Sequence, residues 1–128
     1  LHTSTFAQRV VHTVLSRDGF LNAHVAELGS RYSGQADALA DALRTELGDR
    51  VTFEDPAGGM FLWARIDGFD ARGRLTDAVA AGVAYVPGAE FAVDATSPAG
   101  PDSVRLSFAT GSPDELAEAA HRLASICT

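Results

Sequence analysis

The stretch Ser103–Thr110, SVRLSFAT, decides how the rest of the chain is read. Val104, Leu106 and Phe108 alternate with Ser103, Arg105, Ser107 and Ala109. A period of two is that of a strand with one apolar and one polar face. The three apolar side chains are assigned to a core, and Arg105 to the opposite face, held on a rigid element. A guanidinium presented in that way gives two parallel hydrogen bonds to a carboxylate. The same pattern describes an ordinary solvated strand arginine, so the residues around it have to separate the two readings.

Working outward, the flexible Ala57-Gly58-Gly59 leads into Met60–Ile66, MFLWARI. That run is apolar and aromatic, which suits an interior strand. Before it, Val51 and Phe53 form a short strand closing on Asp55-Pro56, and the short connection favours an antiparallel pair. Asp70–Ala81 is helical in character, with Leu75, Ala78 and Val79 inward and Gly82 as its C-terminal cap. Val83–Val86 reads as a strand stopped by Pro87-Gly88. Phe91 and Val93 begin an irregular stretch, and Asp94–Asp102, with its Ser, Pro and Gly, reads as a loop. Past the arginine strand, Ser112 is an N-cap, Pro113 sits at the first helical position and Glu115 completes a capping box. Leu116, Ala119, Ala120, Leu123 and Cys127 form the buried stripe of that helix.

Two helices precede all of this. Phe6, Val10, Val14 and Leu15 share one face of the first, which stops at Asp18-Gly19. The second carries Leu21, Val25, Leu28, Tyr32, Ala36, Leu39, Leu43 and Leu47 at helical spacing and ends at Gly48-Asp49. Gly29 and Gly34 weaken it locally, each by about 1 kcal/mol relative to Ala, and a bend or packing contact is expected near them. The order implies an α/β (α+β) fold. It is a small, mainly antiparallel or mixed sheet of about three to four strands with helices packed on one face, preceded by long N-terminal helices.

Bulk properties narrow the function. The 128 residues suit one domain, and 46% hydrophobic with 21% charged residues is a globular balance. A net charge of −7 argues against nucleic acid or an anionic membrane as partner, and no apolar run reaches spanning length. The lone Cys127 fits a reducing compartment, so the cytoplasm is expected. The chain opens at Leu1 rather than Met and is read as a piece of a longer protein. All ten basic residues are Arg. Chemistry through a lysine Schiff base therefore has no residue to use within this chain. His2, His12, His24 and His121 show no metal spacing and are read as surface or capping residues.

The segments LHTSTFAQ, LGSRY, PAGGMFLW, GVAYVPGAEF, VRLSFA and SPDELAEAAHRLA follow one another here in an order that resembles fold-type I pyridoxal-phosphate-dependent aminotransferases. The resemblance is to the class I/II branch that includes α-aminoadipate and kynurenine aminotransferases. It spans nearly the whole chain but only the C-terminal third of such an enzyme. It implies that residues 1–48 are a helical segment linking to an absent large cofactor domain, and 49–128 the small domain. It implies that Arg105 binds the substrate α-carboxylate and that Phe61 lies beside the substrate, the alternative for Met60 and Phe61 being plain core packing. Gly58 and Gly59 are expected to let the backbone approach the cleft closely. Tyr32 is read as packing with a tethered hydroxyl, and Pro87-Gly88 as a structural turn.

The resemblance further implies pyridoxal 5'-phosphate in the full-length parent, with none bound by this piece alone, and no catalytic or metal-ligating residue within it. Amino acids and 2-oxo acids would be the substrates, the protein's own large domain a partner, and a homodimer the parent's state. A second reading is an aminotransferase-like effector domain of a MocR-like transcription regulator. The intact VRLSFA and GGMF patterns favour the enzyme.

Overall fold

Tyr32 marks a change of environment along the longest helix of the molecule. The computed structural model describes residues 3–94 and 100–127, which divide into two units, Leu1–Arg31 and Tyr32–Thr128. In the first unit, helix α1 (Thr5–Leu15) buries none of its residues. Its apolar side chains stay open, Phe6 at 77% exposure and Val10 and Leu15 near half. A turn through Gly19, at φ +72°, leads into helix α2 (Phe20–Leu47). Leu21 and Val25 are exposed, whereas Ala36, Leu39, Leu43 and Leu47 are buried. The apolar stripe is thus continuous in sequence but covered only in the second unit. Neither Gly29 nor Gly34 has a heavy atom within 4 Å of an added Cβ, so the expected packing contact is absent among the described residues.

The second unit is built on a four-stranded antiparallel sheet. Strands β1 (Val51–Thr52), β2 (Phe61–Ile66), β3 (Val86–Pro87) and β4 (Ser103–Ser107) lie in the order β1-β2-β4-β3. Leu62, Ala64 and Ile66 of β2, and Val104 and Leu106 of β4 with Phe108 beyond it, form one buried face. They join a core completed by the last turns of α2, by helix α3 (Leu75–Ala80) and by helix α4 (Pro113–Ile126). Tyr32 packs against this core, but its hydroxyl has no partner among the described residues. Gln35 is buried and donates its side-chain amide to the Gly111 carbonyl, tying the turn after β4 to α2.

The helix over Asp70–Ala81 is shorter than its sequence suggests. Residues 71–74 are turns, and only Leu75–Ala80 is helical. Ala78 is buried as expected, but Val79 is 59% exposed and does not point inward. The strand expected over Val83–Val86 is displaced, since pairing begins at Val86 and includes Pro87. Proline fits there because β3 is an edge strand and needs no donor on its open side. Of the expected loop Asp94–Asp102, residues 95–99 lie outside the described residues, as does His2. Helix α4 starts as the sequence dictates. Ser112 Oγ accepts from the Glu115 amide at 3.3 Å, and the Glu115 carboxylate accepts from the Ser112 amide at 2.8 Å. No described helix is long and apolar enough to cross a membrane.

Candidate functional site

The face of the sheet that turns away from the core carries the candidate site. Strand β2 alternates strictly, so Phe61, Trp63 and Arg65 emerge opposite Leu62, Ala64 and Ile66. Arg105 lies directly across from Trp63 on one side and from Val86 on the other. Hydrogen-bonded neighbours on both sides make its backbone stiff. Its side chain is half-buried, and its surroundings are aromatic. The guanidinium carbon sits 4.2 Å from the centroid of the Phe61 ring and 4.8 Å from that of Phe91. Trp63 meets Phe91 edge to face, with centroids 5.5 Å apart.

Two arginines share this face, and they are held differently. Arg65 donates through Nε to Asp102 at 2.5 Å, and that hydrogen bond, with the carboxylate charge, pushes the Arg65 pKa up. Arg105 has no acidic or hydrogen-bonding partner among the described residues, only the two rings. An arginine stacked on aromatic faces keeps its in-plane N–H groups available, because the ring quadrupole attracts the cation face-on. The arrangement sets a guanidinium beside an apolar floor of two rings, a geometry chemically able to accept a planar anion of carboxylate type.

Phe61 is brought to Arg105, with its ring 43% exposed. It is not core, and neither is Met60 at 44%. Gly59 is required for a conformational reason, φ +82°, which a side chain would resist. Neither Gly58 nor Gly59 has another described atom of this chain within 4 Å of an added Cβ. Phe61 and Trp63 also border a groove of about 590 Å³ lined by residues 52–58 and Arg65.

Sequence reasoning missed Trp63 and Phe91. Trp63 was available from the same period of two that placed Phe61, one step along β2. Phe91 was not, because it reaches the site from a 3₁₀ turn, Gly88–Phe91, whose position depends on tertiary contact. That turn lies tight against β4: a Cβ on Gly88 would stand 2.5 Å from Ser103 Cβ and 3.0 Å from its carbonyl oxygen. The same contact buries Ser103, a polar residue on the otherwise open face.

His12 bonds Ser16, His121 bonds Glu46, and His24 stacks on Phe20, all exposed. No group of described His, Cys, Asp or Glu residues is arranged for a metal ion. Cys127 is buried, donates to the Leu123 carbonyl, and has its pKa raised by burial. The chain has no lysine, so a Schiff base to an aldehyde cofactor has no residue to form on within it.

Comparison with known proteins identifies the family. Residues 1–123 match the family model "Aminotransferase class I and II". An aromatic-amino-acid aminotransferase from Thermococcus litoralis is 35% identical over 97% of this chain and 29% of its own length. A 2-aminoadipate transaminase from Thermus thermophilus is 34% identical over 96% of this chain and 30% of its own. A crystal structure of an α-aminoadipate aminotransferase from Thermus thermophilus superposes with a TM-score of 0.86 at 32% identity, over 99% of this chain and 32% of that one. The chain thus spans about 30% of the length of the curated relatives it matches. It belongs to the class I and II aminotransferase family.

Proposed function

We propose that this chain is the carboxylate-binding part of a pyridoxal-phosphate-dependent aminotransferase, and that Arg105 receives the α-carboxylate of the amino acid or 2-oxo acid. The single observation that carries the reading is the contrast on the sheet face. Arg65 is neutralised by Asp102, while Arg105 is held by Phe61 and Phe91 and has no hydrogen-bonding partner among the described residues. A bidentate grip fixes two oxygens of the substrate and so fixes its orientation relative to a reacting Cα. Phe61 supplies the apolar floor beside that grip.

In this reading residues 1–48 lead from a large cofactor-binding domain, and 49–128 are the small domain, with the last turns of α2 packed into its core. The parent holds pyridoxal 5'-phosphate through residues this chain does not carry, works as a homodimer in the cytoplasm, and has no nucleic-acid or membrane partner. Similarity to enzymes named for 2-aminoadipate and for aromatic amino acids supports an amino acid as donor, with 2-oxoglutarate as the expected acceptor. The Thermus thermophilus enzyme of known structure is complexed with N-(5'-phosphopyridoxyl)-L-leucine.

The test is steady-state kinetics of the full-length protein with L-2-aminoadipate or L-phenylalanine as donor and 2-oxoglutarate as acceptor. Arg105→Ala is expected to lower kcat/KM on the order of a hundredfold, mainly through KM, since a charged hydrogen-bonded pair is lost. Arg105→Lys is also poor, because a point charge does not reproduce the planar fork. Unchanged kinetics in Arg105→Ala would remove the residue from the site.

A further inference from the structure

We propose that Phe91 is a positioning residue that acts through Arg105, its ring and that of Phe61 taking the place of the acidic partner an arginine on a strand otherwise acquires. The inference rests on the carboxylate-binding reading of Arg105. Its ground is a requirement that the site sets for itself. A long side chain with free rotamers loses entropy when it binds, so an effective receptor must hold Arg105 in place beforehand. An aspartate or glutamate would hold it but would also occupy the donors that the substrate needs. Aromatic faces hold the cation without using those donors.

The contacts match that requirement. Phe61 and Phe91 lie 4.2 Å and 4.8 Å from the guanidinium carbon, and Trp63 braces Phe91 edge to face. Phe91 is itself fixed by two independent devices. Gly88 lets the 3₁₀ turn close onto Ser103, two residues before Arg105 on the same strand. Glu90, the neighbour of Phe91, is tied to Arg72 at 2.7 Å. The aromatic ring is thereby registered to the strand that carries the arginine. At 42% exposure Phe91 contributes little to the core, so its replacement leaves the fold intact.

The experiment is a double-mutant cycle on the full-length enzyme, reading kcat/KM for whichever of L-2-aminoadipate and L-phenylalanine turns over faster. Phe91→Leu is expected to lower kcat/KM about fivefold, through KM rather than kcat, and to have no further effect in an Arg105→Gln background. Phe91→Tyr keeps the ring face and is expected to match the wild type. An equal loss in both backgrounds would mean that Phe91 touches the substrate directly, and would overturn the proposal. So would unchanged kinetics in Phe91→Leu, or a tyrosine variant as poor as the leucine one. The underlying reading is judged separately by Arg105→Gln alone. If that variant keeps wild-type kcat/KM, Arg105 is not the carboxylate receptor and the present inference falls with it.

Discussion

The two faces of the central sheet are made by the same strands and obey opposite rules. On one, Leu62, Ala64, Ile66, Val104 and Leu106 are buried to 5% exposure or less and face helices. On the other, Phe61 and Trp63 remain 43% and 40% exposed around an arginine that has no acid beside it among the described residues. The first face is satisfied within the chain, and its energy is burial of apolar area. The second is not covered by the described residues, and within them the Arg105 donors find no hydrogen-bond acceptor. A half-finished face on a finished scaffold is what a binding surface requires, because rigidity comes from one side and capacity for a ligand from the other.

The comparison is sharpest where mutations separate stability from binding. Phe108→Ala, on the covered face, is expected to cost about 4 kcal/mol in equilibrium urea unfolding, through lost transfer energy and the cavity left behind. Arg105→Ala, on the open face, should lower the unfolding free energy by only about 1 kcal/mol, the two ring contacts being lost, while removing about 3 kcal/mol of transition-state binding in the full-length enzyme. If Arg105→Ala destabilised the fold as Phe108→Ala does, the division between the faces would collapse. The smaller Phe91→Leu effect sharpens the same contrast, since it should move kcat/KM and leave the unfolding curve in place.

The helix cap gives a third measure, independent of both faces. Ser112→Ala is expected to cost about 1 kcal/mol by removing the acceptor for the Glu115 amide. Hydrogen bonds from the Ser112 amide and then its hydroxyl lower the pKa of Glu115. The folded value lies below the unfolded one, so this contribution is present above the ordinary carboxylate range and is lost as pH falls through the folded value. The stability gap between wild type and Glu115→Gln should therefore be larger at pH 7 than at pH 3, and a gap that widened in acid would contradict the capping box. Last and smallest, burial raises the Cys127 pKa. At neutral pH the folded thiol should react far more slowly with a maleimide than the urea-unfolded one, and equal rates would show the C-terminal end of α4 to be open.

Much of this fold was legible in the residues. The period of two in β4 and the capping box of α4 are local signals, and each names its own geometry. The position of Arg105 on an outward face followed from that period, and Phe61 followed from its likeness to a family motif. The shortened α3 and the displaced β3 were not legible, because Val79 and Pro87 answer to neighbours rather than to their own propensities. Pro87 is tolerated only because β3 happens to be an edge. The covering of the α2 stripe from Ala36 onward, and not at Leu21 or Val25, is likewise invisible in a uniform apolar spacing.

By itself the sequence determined which side chains share a face, where the last helix begins, and that no lysine is present for Schiff-base chemistry. Alternation, capping and composition are properties of neighbours along the chain, and no fold is needed to state them. Only the tertiary structure decided that Arg65 meets Asp102 while Arg105 meets Phe61 and Phe91, because those pairings join residues 14 to 44 positions apart. Whether an arginine is neutralised or left ready for a ligand depends on what crosses its path in space.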